Sequence, residues 1–427
     1  MFGIALVSPT APYALFGLVS EKSHGHVPLV YLIAMVAMSF TAMSYGRMAQ
    51  AYPEPGSTYT FASKALHPNI GYFAGWGMIL DYILIPLLSI IYVGLMGNKL
   101  LPGVPYAVWV IVTATAITAT NLRGIEMTAR ANLLLNVIMI ASLIWFVIAA
   151  LLGLTRDVGL GQIWSVRPFY NPEAFAFSPL MGAASIAVLS FLGFDGITTL
   201  AEDAKRGSRD IARATVLVCF ICGGLFIIQT YLAQRVWPDY KSFVQVETAF
   251  MDISRRVGGE WLFYFVSLAL IVSGLGSSIT GQASASRLLC GMGRDRLLPQ
   301  RIFGYIHPQL GTPIYSVLLM GTVHLLGAMF LNFGEAAEVI NFGAFVGFMA
   351  VNLSVIRHHF FRQGHRGGAF VLLNLIFPAL GFVICFYIWL NLSKFSMQLG
   401  AAWMVLGFFY LLFLTRGFRR NLGDLKL

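Results

Sequence analysis

The sequence predicts an all-α integral membrane fold of about twelve transmembrane helices. Three observations predict it. Of 427 residues, 58% are hydrophobic and only 11% are charged, with a mean hydropathy of +0.76; soluble domains carry about 25% charged residues. Apolar segments near 20 residues long, enough to cross a bilayer, recur along the whole chain. The first and sixth of these segments are interrupted, five spans apart, which is the pattern of a transporter built from inverted repeats.

The predicted spans are 1–20, 27–50, 70–98, 105–121, 131–154, 180–201, 212–234, 261–288, 313–332, 336–357, 369–391 and 397–415. No basic stretch precedes the Met1 segment and no small-residue cleavage site follows it, so it reads as a span rather than a cleavable leader. Its interruption is Ser8-Pro9-Thr10-Ala11-Pro12, where proline removes a backbone donor and clashes with the preceding turn. Only Met1–Val7 precede it, about 10 Å of helix at 1.5 Å per residue, so a longer native segment is expected upstream. Span two runs into Pro53-Glu54-Pro55-Gly56-Ser57-Thr58, which breaks the helix and offers Ser57 or Thr58 as the cap of another. Span three carries Asp81 and Tyr82. A lone aspartate on a long helix also serves to bond a neighbouring helix, and both readings stay open.

Span six contains Leu192-Gly193-Phe194-Asp195-Gly196. Two glycines weaken the helix, and a charged group at bilayer depth costs about 2.5–3.5 kcal/mol, so it faces a cavity or a partner. A carboxylate at a helix break points to a binding site near the midplane; two ordinary kinks, one with a hydrogen-bonded Asp, are the alternative. Span eight is rich in small and hydroxyl residues, Ser273 to Ser286, which suit close helix packing or a sodium ion. His358, His359 and His365 beyond span ten read as a basic surface patch, and segment 235–260 as one or two short external helices.

The net charge of +10 sits at segment ends, as topology signals do, so no nucleic-acid partner is expected. With both termini in the cytoplasm, 19 of the 28 Lys and Arg fall on the cytoplasmic side. Cys219, Cys222, Cys290 and Cys385 lie in apolar segments without the spacing of a metal site, and no metal or other cofactor is expected. An intramembrane aspartyl protease is excluded: neither Leu80-Asp81-Tyr82 nor Leu192-Gly193-Phe194-Asp195 carries its motifs, and twelve spans are too many.

The chain resembles the amino acid–polyamine–organocation transporters. The resemblance rests on Pro53–Tyr59, Asn121–Gly124, Phe191–Asp195 with Ala201–Asp203, Ser286–Asp295 and His307–Pro313, in this order over some 400 residues. Within that superfamily it looks most like bacterial putrescine importers, through Gly3–Thr10 and Ser190–Leu200. The resemblance implies a first repeat over 1–154, an external loop 155–179, a second repeat over 180–357, peripheral spans within 369–415 and a cytoplasmic tail 416–427. It implies alternating access and proton-driven import across the cell membrane, with an amino-acid permease of the same fold as the alternative.

Two positions depart from the superfamily pattern. Amino-acid transporters of this kind have a glycine-rich first break whose N–H groups hold the substrate carboxylate, whereas Pro9 has no N–H. The lysine that some proton-coupled members carry in helix five is matched here by Met139. The candidate substrate-binding residues are therefore Ser8, Pro9, Thr10, Asp81, Tyr82, Ser190, Phe191, Gly193, Phe194 and Asp195, with Asp195 also the proton-coupling candidate. Tyr13 is a further wall, and Asp81 or Glu202 is the partner of a second ammonium. The expected partners are a small amine, protons and the lipid bilayer.

Overall fold

The computed structural model describes residues 7–53, 57–124, 129–159, 162–200, 208–294, 298–364 and 367–417. Among them every regular element is helical. The expected helix before Ser8, and Glu202, Pro55 and His365, lie outside the described residues.

The elements are α1 Ala11–Lys22, α2 Val27–Ala51, α3 Ser57–Ala65, α4 Pro68–Leu100, α5 Tyr106–Leu122, α6 Ala129–Leu154, α7 Phe177–Ala187, α8 Ser208–Val236, α9 Ala249–Arg294, α10 Gln300–Phe303, α11 Ile314–Phe330, α12 Phe333–Val355, α13 Phe377–Leu390 and α14 Lys394–Leu414. Each predicted span coincides with one or more of them. Nine stretches of at least 18 described residues are apolar enough to cross a membrane, and α5 and α11 are shorter apolar helices. The protein is a multi-pass membrane protein.

Local chemistry sets the boundaries. Ser8 has φ +50°, and its carbonyl accepts the N–H of Ala11 at 3.0 Å. Helix resumes at Ala11 with Pro12 in its first turn, where proline's missing donor and fixed φ are no handicap. The two prolines therefore divide the work, Pro9 in the break and Pro12 in the restart. α12 begins at Phe333, three residues before the predicted 336, because Asn332 and Glu335 form a reciprocal capping box that satisfies two orphan donors. The first part of α9, residues 249–258, is a short helix of the kind expected within 235–260, and it meets the span expected from residue 261 at a kink at Gly259, whose non-helical φ of +66° and ψ of −165° suit glycine alone.

α4 is the central pillar and packs against α3, α5, α9, α11, α12 and α14, while α2 lies along α8. α4 contains Pro86 without ending. A Cβ on Gly281 of α9 would lie 2.6 Å from the Pro86 ring, so glycine gives that ring its space. His359 is buried and bonded to Gln363 at 2.8 Å, and His358 bonds Tyr52 at 2.9 Å. These two histidines are thus packed into a widened π-helical turn, Ile356–Arg362, with i→i+5 bonding, and not displayed as a surface patch. All four cysteines are buried and free, as small hydrophobes.

Candidate functional site

The predicted site comprises two helix breaks and two carboxylates, of which Asp195 lies in the second break and Asp81 on α4 within electrostatic reach of it. At the first, Ser8 donates to the Met139 thioether at 3.3 Å, and Pro9 and Thr10 are buried. The second comes after α7. Helix tightens into a 3-10 turn at Val188–Phe191, is lost over Leu192–Phe194, and resumes as a second 3-10 turn, Asp195–Leu200. Gly193, at φ +106°, makes the turn; Gly196 does not, since it lies in the second 3-10 segment.

Asp195 serves its own turn. Its Oδ1 accepts the Gly193 N–H at 3.3 Å, and its backbone carbonyl accepts the Thr198 hydroxyl at 2.6 Å. Thr198 reaches Ser57 at the start of α3 at 3.2 Å, which ties the break to a neighbouring element. The carboxylate keeps unused lone pairs, since an ionised carboxylate offers about four acceptor sites, and the residue is only half-buried. Asp81 on α4 is 8% exposed, with Oδ1 unpaired. The two carboxylates lie within electrostatic reach of one another, and both reach Tyr45 and Tyr82. Among the described residues no lysine or arginine pairs with either.

The remaining predicted residues sort by position. Tyr82 is 46% exposed on an α4 whose neighbouring turns are largely buried. Ser190 bonds Tyr31 of α2 at 3.0 Å. Phe191 packs edge-on to Phe226, and Phe194 sits against Tyr45 and Phe348. Both phenylalanines are fully buried and brace the break from behind. Such ring pairs contribute about 0.5–1.5 kcal/mol each beyond their buried area.

Toward Lys22, α1 packs tightly against aromatic rings. Tyr13 stacks on Phe250 at 3.8 Å between ring centroids, and Phe146 packs at 4.6 Å. A Cβ on Gly17 would lie 1.8 Å from the Val246 carbonyl, so α1 and the segment before α9 touch backbone to backbone. Farther out, Lys22 pairs with Glu338 of α12, whose other oxygen accepts the Ser393 N–H at 2.8 Å.

The hydroxyls of α9 are mostly spent. Ser278, Thr280, Ser284 and Ser286 bond carbonyls one turn back, and Ser273 donates to the Met139 sulfur at 3.4 Å. Met139 thus accepts from both the first break and α9, a link that its apolar surroundings in the sequence do not announce. Gln229 of α8 is another such residue; its side chain holds the Pro9 carbonyl at 3.1 Å. An amide within an apolar run was the available signal. Phe250 could not have been found, because nothing local marks a phenylalanine as the ring that packs against α1.

Comparison with known proteins places this arrangement among transporters. Residues 2–418 match the family described as amino acid permease. The chain is 35% identical to the low-affinity putrescine importer PlaP of Escherichia coli K12 over 98% of its own length and 92% of the relative's. It is 23% identical to the branched-chain amino acid permease BcaP of Bacillus subtilis, over 95% and 89%, and 24% identical to the methylthioribose transporter of the same organism, over 83% and 78%.

Proposed function

The chain belongs to the amino acid permease family, and on that premise we propose that it imports putrescine or a closely similar diamine. The family and its relatives are transporters, so the protein is a transporter and not an enzyme. The observation that carries the diamine reading is the pair Asp81 and Asp195, without a basic partner among the described residues. Two carboxylates at bilayer depth call for positive charge, and a dication supplies both halves. Asp195 holds one ammonium and Asp81 the other, with Tyr82 along the methylene chain. Ser8, Pro9 and Thr10 contribute acceptors and no N–H from Pro9, which disfavours the α-carboxylate of an amino acid. The 35% identity to a putrescine importer supports the same choice.

Transport proceeds by alternating access between repeats 1–154 and 180–357, with spans within 369–415 at the periphery and the termini in the cytoplasm of a bacterial cell membrane. Asp195 is the proton-coupling group in this reading: it must carry its proton inward together with the amine for the proton gradient to drive import. The test is uptake of labelled putrescine into proteoliposomes with an imposed pH gradient. We expect accumulation that collapses with a protonophore and is competed by diamines better than by amino acids. Uptake competed equally by branched-chain amino acids would refute the diamine assignment.

A further inference from the structure

The first break carries an amide that the two carboxylates leave without a role. Gln229 is completely buried, and its Nε2 donates to the Pro9 carbonyl at 3.1 Å. A carbonyl only accepts, so this contact fixes the orientation of the amide, with nitrogen toward Pro9 and Oε1 away from it. That Oε1 is buried and makes no hydrogen bond. Thr10, the residue after Pro9, is 1% exposed, and its hydroxyl oxygen is likewise unpaired. A buried polar atom without a partner is costly; the Thr10 hydroxyl can accept or donate, but the Gln229 Oε1 can only accept, so it marks a place matched to a hydrogen-bond donor. An ammonium is donor-only, and a carboxylate is acceptor-only.

We infer that Gln229 is a specificity-determining residue: its Oε1 accepts from an ammonium of the substrate and rejects ligands that bring a carboxylate to the first break. The inference rests on the diamine reading above and deepens it. Asp81 and Asp195 attract any cation, including the side chain of a basic amino acid, and so do not by themselves separate a diamine from such an amino acid. A fixed neutral acceptor does, because a carboxylate placed there meets lone pairs in a site of low dielectric. Selection by a group that repels the wrong ligand is the economical route to specificity.

Putrescine and ornithine differ by one carboxylate, so they test the point. In proteoliposomes, Gln229→Leu is expected to raise the KM for putrescine about tenfold with kcat nearly unchanged, as loss of a hydrogen bond to a charged ligand does. The ratio of ornithine to putrescine inhibition constants should fall by a similar factor. Gln229→Lys keeps a donor for the Pro9 carbonyl and replaces the acceptor with a cation; ornithine should then compete better than putrescine. If the leucine variant does not fold, Gln229→Met, of nearly the same volume, takes its place. A side chain that only tethers Pro9 would affect both competitors alike, so an unchanged ratio overturns the inference even if transport slows. Wild-type vesicles that take up no putrescine overturn the diamine reading itself, whereas normal uptake with an unchanged ratio in the variants overturns the role of Gln229 alone.

Discussion

Asp195→Asn separates the carboxylate's charge from its place in the fold. The Asp195 carboxylate accepts backbone N–H groups of its own turn, among them that of Gly193 at 3.3 Å, and asparagine retains an oxygen to accept that bond. No basic partner among the described residues is orphaned by the change. The fold should therefore lose nothing, and removing an unpaired charge at bilayer depth relieves a cost. The thermal midpoint in detergent should stay within about 2 °C of wild type or rise. Binding behaves oppositely. A hydrogen bond between charged partners contributes about 1.5–3 kcal/mol, and 1.4 kcal/mol is a factor of ten. Putrescine affinity should fall about 10- to 100-fold, and uptake driven by a pH gradient should vanish, because the neutral amide has no proton to exchange. Equilibrium binding of labelled putrescine and thermal unfolding on one preparation read both quantities. Near-normal affinity and uptake would refute the reasoning. So would lost uptake with a midpoint lowered by more than about 5 °C, since Asp195 would then be holding the fold.

Other perturbations test the surrounding parts. Asp81→Asn should weaken diamines at least about tenfold more than monoamines of the same length, measured by competition; equal losses would remove Asp81 from the site. Gly17→Ala places a Cβ 1.8 Å from the Val246 carbonyl oxygen, roughly 1.5 Å inside contact distance. It should slow uptake about tenfold with binding little changed, and expose a cysteine introduced at Phe243 to aqueous thiol reagents; unaltered labelling would show that this contact does not seal the path. Exchange of sodium for potassium should leave uptake unchanged, because Ser8 and Ser273 both donate to the Met139 sulfur; a sodium requirement would contradict that.

The spans were legible because lipid imposes a length and an apolarity on every crossing helix. The breaks were legible because proline and glycine act on the backbone where they stand: Pro9 and Gly193 both lie at the observed interruptions. Side-chain pairing across the bundle was not. That Met139 joins Ser8 to Ser273, or that Gln229 reaches the Pro9 carbonyl, depends on the rotation of helices about their axes, and an apolar helix with little periodicity does not disclose it. The hydroxyls of α9 show the same limit. Their density allowed an ion site or a packed interface, and only the bonds to carbonyls one turn back identify most of them as satisfied within their own helix. Phe191 and Phe194 were legible as part of the second break but not as bracing behind it, because aromatic residues look alike in sequence whether they face a ligand or the core.

The bend at Gly259 makes α9 a lever. Nine residues separate Gly259 from Phe250, an arm of about 13 Å at 1.5 Å per residue. A rotation of about 20° at the glycine would swing the Phe250 ring through nearly 5 Å, more than the 3.8 Å that now separates it from Tyr13. The long part of the helix, which carries Ser273 and the contact with Pro86, need not move. Such a turn, on the microsecond-to-millisecond scale of hinge motions, would first have to break the Lys99–Asp252 ion pair that ties the arm to α4.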